Sequence, residues 1–157
     1  MPKQSAGIVL YRLGSAGWEV LLVHPGGPFW ARKDDGAWSI PKGEVEPGEE
    51  PLAVALREFE EELGVPPPFG HAALVELGTV RQKAGKIVAA WCAEGDFDPS
   101  ELKSNTFSLE WPPRSGLLKE FPEVDRAAWF SFPAARVKIL AAQAELVDRL
   151  EAVLAAR

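Results

Sequence analysis

The stretch that most constrains this 157-residue chain is residues 43–65, which hold eight Glu, one Arg and no Lys. They carry a net charge of −7 against −6 for the whole chain, so everything else sums to +1. The signals for a helix are strong here. Pro51 suits a first-turn position, where its missing N–H is no loss. Glu49 and Glu50 suit the positive end of the helix dipole. Gly64 stands where a helix usually ends, and Pro66-Pro67-Pro68 prevents continuation. The spacing predicts a helix over residues 50–63. At about 100° per residue, Leu52, Ala55, Leu56, Phe59 and Leu63 form one apolar stripe that must pack. Glu58, Glu61 and Glu62 share a different face, at i, i+3 and i, i+4 spacing, where like charges repel by a few tenths of a kcal/mol per pair. Only Arg57 offsets them locally.

A solvated Glu face usually mixes Lys among its carboxylates, and this one does not. A divalent cation answers the repulsion directly. Mg²⁺ is a hard ion that takes oxygen ligands and shares its shell among a few carboxylates, waters and phosphates. The Pro41-Lys42-Gly43 turn just before the helix adds a backbone carbonyl and an ammonium suited to phosphate.

The rest of the chain bounds the surroundings. Its length predicts a single domain over residues 1–157, large enough for a core without staples. Cys92 is the only cysteine, which excludes an intramolecular disulfide or a Cys-based zinc site, and it reads as a small buried hydrophobe. No apolar run reaches membrane-spanning length and residues 1–5 lack a signal core, so the expectation is a cytoplasmic protein with no membrane partner. The acidic balance argues against a nucleic-acid partner.

Residues 5–12 and 18–24 read as a strand hairpin across the turn at 14–17. A long loop follows at 25–36, rich in Gly and Pro and carrying Phe29, Trp30, Arg32 and Lys33; long ordered loops are often functional. Strands are expected at 72–80, 86–94, 106–111 and 127–130, and loops at 95–105 and 112–122. Ser131 caps a C-terminal helical stretch with Pro133 in its first turn, and Leu146, Val147, Leu150, Val153 and Leu154 give that stretch its apolar stripe. The pattern is α/β or α+β. Six Trp and eight Phe leave aromatics to stack on a base, with Trp30, Phe29, Trp111 and Phe121 as candidates. His24 and His71 read as structural.

Gly43, Glu49, Arg57, Glu58, Phe59, Glu61, Glu62, Gly64 and Val65 fit every defined position of the pattern G-x5-E-x7-R-E-U-x-E-E-x-G-U, with Phe59 a mild departure at the first apolar position. This segment resembles the box of the Nudix hydrolase family. Trp38-Ser39-Ile40-Pro41-Lys42-Gly43 in turn resembles the W-x-x-P-K-G run of members acting on nucleoside polyphosphates. The resemblance implies an α/β/α sandwich with a mixed β-sheet and Mg²⁺ or Mn²⁺ as cofactor. It implies Glu58, Glu61, Glu62 and the Gly43 carbonyl as metal ligands, with Arg57 orienting the carboxylates through Glu49. Glu123, six residues before Trp129, is the implied further ligand or general base, with Glu120 as runner-up and Asp125 as a turn residue. Lys42 would meet polyphosphate, and Trp30 or Trp111 the base. The implied reaction is hydrolysis of a phosphoanhydride in a nucleoside diphosphate linked to a further group, most readily a nucleoside or dinucleoside polyphosphate. The tyrosine common after the box in diadenosine polyphosphate hydrolases is missing, since the only tyrosine is Tyr11, so the substrate stays open. The other reading is a nucleotide-binding or regulatory module without turnover. An isomerase of the isopentenyl diphosphate type needs an early cysteine, which Cys92 is not.

Overall fold

A computed structural model describes residues 3–157. Strand β1 (Gln4–Gly14) is the centre of the molecule. Its residues 6–11 are all buried, as expected of a strand covered on both faces. Alternation then divides them: Ala6, Ile8 and Leu10 join one core cluster, Val9 and Tyr11 the other. β2 (Gly17–Pro25) folds back antiparallel on one side, with Tyr11 opposite Val20. β5 (Ile87–Glu94) lies parallel on the other side, with Ile8 opposite Trp91. β4 (Val75–Arg81) and β8 (Val124–Ser131) form the two edges, both antiparallel to their neighbours, and the short β3 (Lys42–Glu44) pairs with the start of β1. The sheet is therefore mixed, in the order β4-β5-β1-β2-β8.

One face of the sheet is covered by α1 (Pro51–Leu63), which buries Val54, Ala55, Phe59 and Leu63 against Ile8, Leu10, Leu21 and Val23. The other is covered by α2 (Phe132–Lys138) and α3 (Ala144–Ala155), whose Ala135, Leu146, Val147 and Leu150 meet Val9, Tyr11, Val20 and Leu22. The result is the α/β/α sandwich. Each fully buried Leu or Ile contributes about 1.5–3 kcal/mol through lost apolar exposure. Gly64 ends α1 in the left-handed region at φ 82°, its N–H donating to the Glu60 carbonyl, and a side chain there would also collide with the Lys103 carbonyl. Among the described residues, no helix is long and apolar enough to cross a membrane.

Five elements differ from the sequence reading. Residues 112–122 are not all loop: β7 (Leu118–Pro122) pairs antiparallel with β6 (Thr106–Glu110) in a separate hairpin. Its alternation is obscured by Lys119 and Glu120, and its Pro122 lies at the strand end, where a missing donor is tolerated. β8 starts at Val124 rather than 127, so Asp125 sits in a strand and not in a turn. Residues 71–73 form a 3₁₀ turn, which delays β4. The C-terminal helical stretch is two helices: Ser131 caps α2 through Ala134 N–H, and α2 then ends at Ile139, whose extended backbone pairs with Trp38. On α1 the packed face includes Val54, which the apolar stripe left out. At about 100° per residue Val54 is only roughly 40° from Glu58, so the carboxylate face emerges from the margin of the core rather than standing opposite it.

Candidate active site

The turn before α1 is fixed from three sides. Ile8 N–H donates to the Pro41 carbonyl at 3.1 Å, Val23 and Ser39 exchange two backbone bonds, and Ile40 N–H donates to Gln143 Oε1 at 3.1 Å. Gln143 is fully buried, and its Nε2 also reaches Ser39 Oγ and Gln82 Oε1, both at 3.1 Å. Residues 39–43 therefore leave the sheet along a single path. At its end Gly43 lies under Glu58, and a Cβ there would collide with the Glu58 carboxyl carbon. Any larger residue at 43 would push the Glu58 carboxylate out of its place.

Arg57 holds the carboxylates from the solvent side. Its Nη1 donates to Glu49 Oε2 at 2.7 Å, Nη2 lies 3.8 Å from Glu58 Oε1, and Nε lies 4.0 Å from Glu61 Oε1. Glu49 Oε1 accepts from Glu46 N–H at 2.9 Å, which tightens the loop before the helix. The Arg57 guanidinium holds the Glu49 carboxyl below its ordinary range. Glu58 goes the other way: burial raises it first, then repulsion from Glu61, with Glu123 adding to both against the pull of Arg57. Burial pushes Glu62 up to about 8; Lys42 opposes this, while Glu58 and Glu123 add to it. Glu123 is thus near enough to disfavour charge on both Glu58 and Glu62.

Glu123 is held by its backbone. Its N–H donates to the Asn105 carbonyl at 2.8 Å and its carbonyl accepts from Gly26 N–H at 3.0 Å. The next residues are tied by His24, which is fully buried: Nδ1 bonds Asp125 Oδ1 at 2.8 Å, and Nε2 bonds the Lys33 carbonyl at 2.7 Å. That histidine pins the start of β8 and the 25–36 loop to the end of β2.

A cavity of about 240 Å³ opens beside these groups, lined by Trp30, Ser39, Lys42, Glu62, Glu123 and Leu140 among others. Four of the residues singled out in the sequence, Trp30, Lys42, Glu62 and Glu123, thus share one space. Trp30 also has Lys33 Nζ 4.9 Å from its ring centroid. Trp111 stands apart from this cavity, edge-on to Phe29 with ring centroids 5.5 Å apart, and Glu120 lies in β7. Glu61 faces the outer side of α1. Among the described residues, no three carboxylates or imidazoles converge as a finished metal cage. The donor set nonetheless fits a hard divalent cation: carboxylates that raise one another by repulsion, a glycine backbone against Glu58, and no sulfur or imidazole among them. Three supporting residues had little signal in the sequence. Gln143 sits in an Ala-rich run, Asp125 read as a turn, and Asn105 contributes only its backbone.

A mixed sheet between helices, with a glutamate-bearing helix rising from a W-x-x-P-K-G turn at its margin, defines the Nudix fold. The NUDIX domain model matches residues 1–150, and the chain belongs to that family. Over 67 residues the chain is 42% identical to the bis(5′-nucleosyl)-tetraphosphatase [asymmetrical] of Sus scrofa, and over 68 residues 41% identical to that of Rattus norvegicus. Each match spans 39% of this chain and 44% of the relative, so the likeness covers under half of those proteins. Among solved structures, the binary complex of C. elegans Ap4A hydrolase matches with a TM-score of 0.67 at 24% identity, covering 98% of this chain and 99% of that one. The NUDIX domain of Shewanella oneidensis NrtR complexed with ADP ribose matches with a TM-score of 0.64 at 18% identity, over 98% and 89%. At those identities, the structural likeness establishes the fold.

Proposed function

We propose that this protein is a divalent-metal-dependent pyrophosphohydrolase whose substrate is a dinucleoside polyphosphate. The observation that carries the reading is the shared cavity of Lys42, Glu62, Glu123 and Trp30, which brings acid, base and aromatic groups together at the glutamate face of α1. The partial likeness to bis(5′-nucleosyl)-tetraphosphatases supports the choice of substrate. Mg²⁺ or Mn²⁺ held by Glu58, Glu61, Glu62, Glu123 and the Gly43 carbonyl would offset phosphate charge and make a water more acidic.

The chain's own groups do the rest. Glu123 takes a proton from the attacking water as its oxygen bonds to phosphorus, and the anhydride P–O bond on the far side breaks to release the phosphate leaving group. Arg57 keeps Glu49 and Glu58 oriented. Lys42 meets the phosphate chain as a point charge. Trp30 stacks on a base.

The test is a panel of dinucleoside polyphosphates, nucleoside triphosphates, ADP-ribose and diphosphoinositol phosphates with Mg²⁺, with products resolved. Diadenosine tetraphosphate is expected to give the highest kcat/KM, and Glu61→Gln to lower kcat by about 10³-fold with the fold intact. Binding without hydrolysis of any compound would overturn the enzymatic reading in favour of a nucleotide-binding module.

A further inference from the structure

A larger concavity lies beside this site and shares Arg57 and Glu61 with it. A groove of about 700 Å³ runs along the outer side of α1, walled by Arg57, Glu60 and Glu61 and closed opposite by Phe69, His71 and Lys103. That volume lies within the range of small-molecule sites. Its floor is half-apolar: Leu56, Pro67 and Phe69 line it, and the Phe69 ring is held edge-on to Phe59 with centroids 6.0 Å apart. Lys103, His71 and Asn105 also line it.

The groove and the Lys42–Glu123 cavity are lined by successive residues of the last turns of α1, Glu61 in one and Glu62 in the other. Glu61 lines the groove, and its carbonyl accepts from Asn105 N–H at 3.2 Å. The Asn105 carbonyl accepts in turn from Glu123, which lines the cavity. The glutamates thus lie between two recesses, each with an aromatic ring and a lysine: Trp30 and Lys42 in one, Phe69 and Lys103 in the other. A mononucleotide has one base, for which one recess suffices. A molecule with a nucleoside at each end of a phosphate chain matches both, with the chain crossing the glutamates.

We infer that the groove along the outer face of α1 is the subsite for the second nucleoside of a dinucleoside polyphosphate, with Phe69 as its stacking surface and His71 and Lys103 as polar contacts. The inference rests on the proposed substrate class and deepens it.

The test compares a two-ended ligand with a one-ended one on the intact protein. His71→Ala/Lys103→Ala removes exposed groups from the rim, and Glu60→Trp fills the groove; none of these residues belongs to the hydrolytic machinery. For each variant, the readouts are kcat and KM for diadenosine tetraphosphate and the inhibition constant of adenosine 5′-tetraphosphate. Both variants are expected to raise KM for the dinucleotide about tenfold, about 1.4 kcal/mol of binding, with kcat and the mononucleotide constant within about twofold of wild type. Equal changes in both constants, or no change in either, would overturn the groove assignment while leaving the hydrolase reading intact. A wild-type protein that neither binds nor hydrolyses diadenosine tetraphosphate would overturn the substrate class and the groove together.

Discussion

Burial pushes the Glu62 carboxyl up to about 8, whereas an unfolded Glu titrates near 4.3. Between those values the metal-free folded protein holds a proton that the unfolded chain has lost. Stability then falls as pH rises through that window and levels off above about 8. Glu62→Gln removes this contribution to the dependence. In EDTA, its melting temperature is expected to match wild type near pH 4 and to exceed it increasingly towards pH 8; a constant difference across the range would refute the assignment of this titration to Glu62. The same substitution would abolish most turnover, so the residue that destabilises the empty protein would be one that the reaction needs. The acidic residues proposed for the site stand out in the sequence because their spacing is strict and their repulsion has to be answered. Glu123 is proposed in the sequence only by its distance from Trp129, and the structure places it in the cavity with Glu62. Its anchoring by Asn105 and Gly26 is a backbone matter with no side-chain signature.

At the level of elements, α1 shows what sequence pattern can and cannot resolve. Its limits follow from Pro51 and Gly64, and its two faces from period 3.6, but the wheel places Val54 among the glutamates because it carries no information on how the helix leans on the sheet. β7 escaped for the opposite reason: only Leu118 and Phe121 mark it, and its partner strand is its main support. The turn at 39–43 depends on an element remote in sequence. Gln143, at the start of α3, supplies the acceptor for Ile40 N–H. Gln143→Ala leaves that buried donor without a partner, at a cost of about 1–3 kcal/mol. Urea unfolding is expected to show that loss, and kinetics a raised KM with a smaller change in kcat, because the turn carries Lys42. Unchanged stability would mean that the donor finds another partner.

At the scale of the whole molecule, the α2–α3 core touches the candidate cavity only through residues such as Trp30, Ala37 and Ile40. The core between the sheet and α2–α3 lies on the face away from the glutamates, so damage there should lower stability and spare catalysis. Leu150 is fully buried in that core. Leu150→Ala is expected to cost about 2–5 kcal/mol with kcat at 20 °C unchanged. Mg²⁺ should recover part of the loss, since a ligand at 100 times its Kd stabilises by about 2.7 kcal/mol, and thermal melts with and without the ion measure it. An Leu150→Ala protein that stays folded but loses kcat would show that the two faces are coupled. The parallel pairing of β1 with β5 also has a bearing on synthesis. During synthesis β1 finds β2 at once, but its other edge stays open until residues 87–94 have been made. Throughout that interval the nascent chain displays an apolar, unpaired strand edge, the kind of surface that seeds aggregation. The acidic stretch emerges during the same interval, so the charge that later serves the site would, before folding is complete, keep neighbouring chains apart.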